Sequence, residues 1–548
     1  MRERAPEGGL ASLLHKGAAV VALLALANQA FALLRDRLLA GHFGAGGELD
    51  IYFAAFRFPD ILFLLLSLGA SAFITIPILA ERKQEGGRES EMRYVSQWSF
   101  LLGAAGLIGA GVLAFGASWI AHIFFPGFLP AQQEELASLV RLLALQPGLL
   151  ALAALWSAVA QWRRAFVLYG LAPIAYNLSI IAGIILLAPS FGIAGVVAGV
   201  VVGAVAQVAL LGWWLWRRLH LSLWAGATLP PIKEVRQVLR LSVPRGVTLA
   251  VGHLLLLLVA SVGAMFAQGS VAAFFFAFGL VSVPLALVVT PYVASVFPLL
   301  AQGAAEKNWE QFVEAVISAT RQALWWVMFA MAAFIVLRAQ IVRVVYGSGA
   351  FDWEDTRLTA AALAVLALSL PAQALILLFA RSWYAMQRNF WPLLSALAGA
   401  VVGVAAGALL LFAAQTSPAF LSWFARAVRL EGIADTRIVL LAGAYSLGLV
   451  VQACVLLAPL VIRFRSIAVA LADALWRAAL AAFAASAAMY LTLHFLAPAV
   501  SLATFAGVLL HGAGAGIVGA VVYGGVSLLL GAREARTALQ LAHFWRRG

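Results

Sequence analysis

The side chains with chemistry to do in this sequence are ionisable groups set inside long apolar runs. The first two runs carry Arg35, Asp36, Arg37, Asp50, Arg57 and Asp60, with Asn28 and Gln29 deeper in the first. Charges placed in a membrane span are costly and face a partner or a wet cavity. Arginine among amides and carboxylates suits capture of a phosphorylated group, because its planar fork can make two parallel hydrogen bonds to phosphate oxygens. Arg57, just before Pro59, points to such a cavity, whereas Arg35 fits either a cavity or an outer interface beside Asp36 or Asp50. Arg37 reads as interfacial, and Asp50 and Asp60 as ion-pair partners or helix caps. In the second half, Arg245 and His253 fall in one apolar run and Arg381 in another. Arg381, with Arg388, also reads as the cytoplasmic end of its span, and His253 as an interior histidine or a proton carrier. Asn177 is expected to hydrogen-bond between helices. The expected substrate-binding set is therefore Arg35, Arg57, Asp50, Asn28, Gln29 and Arg381, with Asp36, Asp60, Arg245 and His253 as further polar lining.

Hydrolytic and metal chemistry lack their signatures. The lysines are Lys16, Lys83, Lys233 and Lys307, and none follows a glycine as in a phosphate-binding loop. The eight histidines are scattered without ligand spacing, and no nucleophile elbow sits on a strand-turn-helix pattern. The reading is a transporter rather than an enzyme, with no metal and no cofactor. The single cysteine, Cys454, permits no internal disulfide and reads as a small apolar residue.

The elements that must position these residues are membrane helices. The chain of 548 residues is 64% hydrophobic and 11% charged, with mean hydropathy +0.99. A soluble domain is about 45–50% apolar and about 25% charged, so a soluble globule, a disordered chain and a coiled coil are all excluded. A spanning helix needs about 20 mostly apolar residues. About fourteen runs meet that need, near 11–40, 50–80, 95–125, 133–161, 165–188, 191–216, 238–266, 270–302, 311–338, 356–386, 391–415, 437–462, 467–496 and 502–530. They are continuous rather than alternating, which excludes a β-barrel. The fold class is all-α and polytopic.

The net charge of +13 falls mostly in loops and reads as positive-inside bias, not as nucleic-acid binding. Arg2, Arg4 and Lys16, then Arg82, Lys83, Arg88 and Arg93, then Arg163 and Arg164, lie on one side. Arg217, Arg218, Lys233, Arg236, Arg240, Arg463, Arg465, Arg533, Arg536, Arg546 and Arg547 follow on that same side. Both termini are therefore expected to be cytoplasmic. Arg426 and Arg429 are exceptions, in a stretch from Phe420 to Leu430 that suits an amphipathic outer-surface segment. The first run is too long for a signal-peptide core and ends in Arg35-Asp36-Arg37, so it is expected to stay attached.

The chain also repeats itself at an offset of about 221 residues. Ile76-Pro77-Ile78-Leu79-Ala80 recurs as Phe297-Pro298-Leu299-Leu300-Ala301, and Ile120-Ala121-His122-Ile123-Phe124-Phe125 as Ile341-Val342-Arg343-Val344-Val345-Tyr346. Phe53-Ala54-Ala55-Phe56 faces Phe274-Phe275-Phe276-Ala277, and Gln161 faces Gln387 at a slightly larger offset. Six spans per repeat return the chain to the same side, so the halves form two parallel six-helix lobes. Transporters of that plan bind substrate near mid-depth between repeats and rock one half against the other. The expected boundaries are 1–228 for the N-terminal lobe, 229–436 for the C-terminal lobe through span eleven, 437–465 for the span that completes it, and 466–548 for two extra helices and a tail. The extra pair is expected to flank the lobe and offer a groove for a lipid tail. Pro59, Pro284, Pro291 and Pro298 are expected to kink or break helices beside the cavity.

Several motifs carry a resemblance. Leu34-Arg35-Asp36, Phe43-Gly44-Ala45-Gly46 and Asp50-Ile51-Tyr52-Phe53-Ala54-Ala55-Phe56-Arg57-Phe58-Pro59 resemble the start of the MurJ (MviN) lipid II flippases. So do Tyr346-Gly347-Ser348-Gly349-Ala350-Phe351, Asp355-Thr356, Leu370-Pro371 and Ala380-Arg381-Ser382-Trp383-Tyr384-Ala385. The resemblance extends from about residue 12 to 415. It implies membership of the multidrug/oligosaccharidyl-lipid/polysaccharide exporter superfamily, with fourteen spans in two lobes plus two helices. It also implies outward movement of lipid II, the undecaprenyl-pyrophosphate-linked peptidoglycan precursor, across the bacterial inner membrane for cell-wall synthesis. By resemblance, Arg35 and Asp50 match polar cavity positions and Arg57 a basic one. The cavity pattern departs elsewhere. Asn28-Gln29 stands where the family has a Ser-Arg pair, and Phe63-Leu64 and Ser67-Leu68-Gly69 where it has an Arg-Arg pair and an Ala-Glu-Gly motif. An arginine of span eight is replaced near Gly279, and the asparagines of span eleven are missing from Ala396 to Ala406. Partners implied are the lipid-linked precursor, membrane lipids and cell-wall synthesis proteins. Two alternatives stay open: export of another polyprenyl-linked glycan or an amphipathic small molecule, and a non-transporting cell-wall scaffold.

Overall fold

The computed structural model describes residues 7–219 and 228–537. Arg2, Arg4, Arg546 and Arg547, used above to orient the chain, lie outside the described residues. Every regular element among those residues is helical. Helix α1 runs Glu7–Phe43, α2 Gly47–Ala55, α3 Arg57–Ser67 and α4 Ala72–Phe124. The second expected span is thus a relay of α2, α3 and the start of α4. Helix α4 breaks again at Gly86 and Gly87, the latter at φ 62°, a backbone region that glycine enters at no steric cost. Helices α5 (Pro130–Leu143) and α6 (Gln146–Trp162) share the fourth span. Helix α7 (Phe166–Ala182) with a π-helical stretch, Gly183–Leu187, is the fifth, α8 (Ala188–Leu219) the sixth and α9 (Ile232–Gly263) the seventh. Helix α10 (Ser270–Pro284), a second π-helical stretch (Leu285–Val289) and α11 (Thr290–Ala305) make the eighth. Pro284 and Pro291 flank that π-helical stretch and Pro298 lies inside α11, which is where prolines interrupt the backbone ladder. Helix α12 (Trp309–Val336) is the ninth, followed by a short α13 (Arg338–Val345) that the hydrophobic pattern did not single out. Helices α14 (Trp353–Ala367) and α15 (Leu370–Ala385), bent by 46°, share the tenth. Helix α16 (Phe390–Thr416), the amphipathic α17 (Pro418–Ala427), α18 (Arg437–Arg463), α19 (Arg465–Leu496) and α20 (Phe505–Leu529) complete the series.

Among the described residues, ten helical stretches are long and apolar enough to cross a membrane, eleven with α14 and α15 taken as one bent span. One of them, Phe166–Arg218, has 53 residues. As one rod it would be about 80 Å long at 1.5 Å per residue, against about 30 Å of hydrocarbon. It folds back at Gly192, where φ is 55°, into two crossings. The fold-back is close: a Cβ on Gly183 would lie 2.8 Å from the Gly199 Cα, the small-residue contact that lets membrane helices approach. Adding α1 and the α2–α3 relay, which carry the intramembrane charges, brings the helices into agreement with about fourteen spans.

Two compact units divide the chain, Met1–Met265 and Phe266–Gly548. In the first, Tyr94, Trp98 and Trp156 centre an apolar cluster. Trp156 Nε1 donates to Ser99 Oγ at 2.8 Å. Glu91, with only 1% of its side chain exposed, ion-pairs with Arg163 and accepts from Trp162 Nε1 at 2.8 Å. In the second, α12, α19 and α20 pack around Trp325, Met489 and Tyr523. Tyr523 OH donates to the Trp325 carbonyl at 2.6 Å, and Trp325 Nε1 to Ser527 Oγ at 3.1 Å.

Some turns of the two units close in the same way. Phe125 N–H donates to Ala121 O at 3.1 Å, and its counterpart Tyr346 N–H to Val342 O at 2.8 Å. After α6, Arg164 adopts φ 57°, and after α15 so does Gln387. Each is closed by the same pair of bonds, Arg164→Gln161 with Ala165→Ala160 and Gln387→Tyr384 with Arg388→Trp383. Pro147 and Pro371 each stand second in a helix that follows a mid-span break.

Candidate functional site

The site grows from a polar stripe on α1. Asn28 and Arg35 are two turns apart, which brings them to one helix face. Both meet Asn177 of α7, which is 5% exposed. Arg35 Nη1 donates to Asn177 Oδ1 at 3.0 Å. Since a guanidinium can only donate, the Asn177 oxygen must face it and the amide nitrogen must face away. That nitrogen donates to Asn28 Oδ1 at 2.9 Å and to the Pro173 carbonyl at 3.3 Å. Arg35 also holds Asp36, with Nε at 2.8 Å and Nη2 at 2.7 Å from Oδ1. The neighbour of Asn177, Tyr176, accepts from Gln146 Nε2 at 2.9 Å, so the opening residue of α6 reaches the same region.

A second group forms at the α2–α3 break. Arg57 opens α3, and its Nε donates to the Phe53 carbonyl at 2.9 Å. Its Nη2 lies 3.3 Å from Asp60 Oδ2, one turn on. Asp60 interacts electrostatically with His253 of α9. Two phenols lie within electrostatic reach of both Arg35 and Asp60: Tyr52 of α2, which is buried, and Tyr176 of α7, which is half-buried. Six helices of the first unit (α1, α2, α3, α6, α7 and α9) therefore contribute to one polar region within an apolar bundle.

Arg35 and Arg57 each hold a carboxylate. Two arginines and two aspartates balance in formal charge. The side chains stay partly accessible, at 25% for Arg35, 22% for Asp36, 11% for Arg57 and 34% for Asp60. A guanidinium carries five N–H donors, so a phosphate can take donors that the carboxylate leaves or replace the carboxylate outright. The arrangement can thus bind, release and orient an anion. It contains no nucleophile–base pair.

Of the remaining expected residues, Asp50 is buried in α2, at 3% exposure. Gln29 is half-buried beside Asn28 and is not a hydrogen-bond partner in the Asn28–Asn177–Arg35 chain. Arg245 precedes His253 by about two turns on α9, and Arg381 is half-buried on α15 in the second compact unit. Sequence reasoning singled out Asn177 as an interhelical hydrogen-bonder but missed Tyr52, Tyr176 and Gln146. The available signal was a polar atom interrupting an apolar run, and for Gln146 its place before Pro147 at a mid-span break. Among the described residues no three His, Cys, Asp or Glu side chains converge as a metal site would require.

A family model described as Lipid II flippase MurJ matches residues 39–505. The Lipid II flippase MurJ of Burkholderia cenocepacia is 26% identical over 373 residues, 66% of this chain and 71% of that one. A probable lipid II flippase MurJ of Rhizobium tropici is 26% identical over 379 residues, 67% of this chain and 70% of that one. Among solved structures, a lipid II flippase MurJ in an inward closed conformation superposes with a TM-score of 0.71 at 19% identity, covering 95% of this chain and 100% of that one. An inward-facing MATE family multidrug transporter of the MOP superfamily gives 0.63 at 14% identity, covering 81% and 98%. The family model, matched over residues 39–505, places this polytopic membrane chain in the lipid II flippase MurJ family.

Proposed function

We propose that this protein is a transporter that moves lipid II from the inner to the outer leaflet of the bacterial inner membrane. Both termini are placed in the cytoplasm, following the loop arginines. The single observation that carries this reading is the pair of partly accessible arginines, Arg35 and Arg57, held within one polar region of an otherwise apolar bundle. A pyrophosphate headgroup cannot cross hydrocarbon alone, since burying an isolated charge costs on the order of tens of kcal/mol by Born arguments. Arg35 and Arg57 take up the headgroup by exchanging Asp36 and Asp60 for phosphate oxygens. The released carboxylates turn to water or to neighbours such as His253. Asn177 keeps Arg35 aimed while this exchange occurs. The lipid tail stays in the bilayer, along the flank offered by α19 and α20.

The two six-helix repeats, with lobes near 1–228 and 229–465, act as the rocking halves of an alternating-access cycle. No ATP is used. An inside-negative potential favours outward movement of an anion by about 2.3 kcal/mol per charge per 100 mV crossed. Collapse of the potential in proteoliposomes is expected to slow translocation; an unchanged rate would remove the electrical part. Cell-wall synthesis proteins are the expected partners, as consumers of the flipped precursor.

The test is complementation of a bacterium depleted of its own flippase. The unaltered chain is expected to restore growth, and Arg35→Ala with Arg57→Ala is expected to abolish rescue while the protein still accumulates in the membrane. Rescue by the double variant would favour a scaffold that needs no cavity. One observation favours a second substrate class: Asn28-Gln29 and Phe63-Leu64 replace charged positions of the family pattern. Another polyprenyl-pyrophosphate-linked glycan would use the same two arginines, and failure to rescue combined with flipping of such a lipid in vitro would select it.

A further inference from the structure

Arg426 and Arg429 run against the charge distribution that orients the other loops, and the fold gathers more positive charge around Arg429. At one end of the second unit, a cavity of about 620 Å³ is lined by Arg338, Arg357 and Arg429, with Trp353, Tyr490 and Leu493 among the remaining wall. The start of α13, the start of α14, the turn after α17 and the last turns of α19 meet there. No Asp or Glu is among the described residues that line it.

The three arginines have different tasks. Arg357 is engaged: its Nη2 donates to the carbonyls of Arg429 at 3.0 Å and Glu431 at 2.7 Å. This rivets the turn after α17 onto α14 and brings Arg429 towards Arg338. Burial, and then the like charge of Arg429, hold the Arg338 guanidinium below its ordinary range. No ion pair joins Arg338 or Arg429 to a carboxylate among the described residues. The nearby acids are committed elsewhere or face outward. Asp352 and Asp355 form the capping box of α14, Asp435 holds Arg437, and Glu354 and Glu431 are exposed. Arg338 is half-buried and Arg429 is exposed at the rim, and two like charges lining one cavity are relieved by an anion placed between them.

The position of the cavity says what kind of anion. Val336 ends one membrane span and Trp353 begins the next, so the cavity lies where helices leave the apolar layer. Trp and Tyr favour that level. Arginine forks above an aliphatic wall suit a phosphate that carries a hydrocarbon tail better than a free ion.

We propose that this cavity binds the phosphodiester headgroup of an anionic membrane phospholipid, with Arg338 and Arg429 as its ligands and Arg357 holding the frame. On the orientation proposed above the lipid belongs to the outer leaflet. The binding itself depends neither on that orientation nor on what the protein transports, so a failed flipping assay leaves the test below intact.

The full-length protein in neutral detergent is titrated with phosphatidylglycerol, phosphatidylcholine or sodium phosphate, and retained lipid is counted by native mass spectrometry. The expected result is one phosphatidylglycerol held in preference to phosphatidylcholine and not displaced by equimolar inorganic phosphate. R338Q/R429Q is expected to weaken that binding about tenfold or more, the scale of losing hydrogen bonds to a charged group. R338K/R429K keeps the charges and is expected to retain most of it. R463Q/R465Q, at the turn between α18 and α19, is expected to change nothing. Should R338Q/R429Q fail to yield monodisperse protein, single R338Q against R338K carries the same comparison. Equal retention of both lipids, unaltered binding by the Gln variants, or displacement by inorganic phosphate at equal concentration would each overturn the proposal.

Discussion

Asn177→Leu tests whether the polar region acts as one unit. The side chain is 5% exposed and leucine matches its shape, so little else should move. The change removes the bonds to Arg35 and Asn28, at 3.0 and 2.9 Å. In water-soluble proteins a bond to a charged group contributes about 1.5–3 kcal/mol and a neutral one about 0.5–1.5 kcal/mol. Between membrane helices the measured average is only about 0.6 kcal/mol, with a maximum near 1.7, because the reference state in the bilayer also finds partners. Arg35 keeps Asp36 and is a quarter exposed, so it is not stranded. Together these put the loss of stability at about 1–2 kcal/mol. If Arg35 must be aimed for transport, a similar energy appears in the rate, as a fall of about 5- to 30-fold. The assay is a double-mutant cycle of Asn177→Leu and Arg35→Ala, read both as thermal midpoint in detergent and as initial flipping rate. Residues that share a hydrogen bond are non-additive, so the double variant should lose clearly less than the sum of the singles. Strict additivity in both readouts would refute the idea that Asn177 positions Arg35.

Three further outcomes follow from the packing and the loops. Gly183→Val places a Cβ 2.8 Å from the Gly199 Cα, against backbone that cannot yield, and should lower stability by about 1–3 kcal/mol, visible as a lower midpoint and poorer yield. Glu91→Gln removes a carboxylate that is 1% exposed from Arg163, which is 25% exposed, and should cost about 1.5–3 kcal/mol, the scale of a hydrogen bond to a charged group, whereas changing the exposed pair Glu89–Arg93 should be nearly silent. Burial acts to raise the pKa of Asp435, but bonds from Arg437 and the Ala267 amide outweigh it and hold the carboxyl below its ordinary range. A depressed folded value means that the clasp is fully present above the unfolded carboxylate value of about 3.9 and is lost as pH falls through the lower folded value. An acid titration of the midpoint should show this component in the unaltered chain and lack it in Asp435→Asn.

Much of the architecture was legible because membrane helices announce themselves by length. Most apolar runs ended within a few residues of the helix ends, although the second and third share the long helix α4, Ala72–Phe124. Breaks were less legible. The fold-back at Gly192 and the interruption at Gly86 and Gly87 depend on left-handed glycines, and this sequence has many glycines that do nothing of the kind. Helix α13 was hidden for another reason: eight residues with two arginines among them carry no span signal. Within the site, Arg35, Asp36, Arg57 and Asp60 stood out because charge in an apolar run is conspicuous. Their mutual pairing did not, since an arginine and a nearby aspartate read equally well as a bond or as two separate faces. Tyr52, Tyr176 and Gln146 became visible only through tertiary contact, as their polar atoms are few and their bodies pass for core.

On the reading proposed here, Arg35 and Arg57 carry an anionic lipid headgroup through the membrane. The most direct measurement reconstitutes the purified chain in liposomes bearing lipid II on one leaflet and follows its exposure to a membrane-impermeant reagent outside. The unaltered protein should raise the exposed fraction over protein-free liposomes, and Arg35→Ala with Arg57→Ala, inserted to the same density and equally stable, should leave it at background. Transfer by that double variant at the unaltered rate would contradict the account.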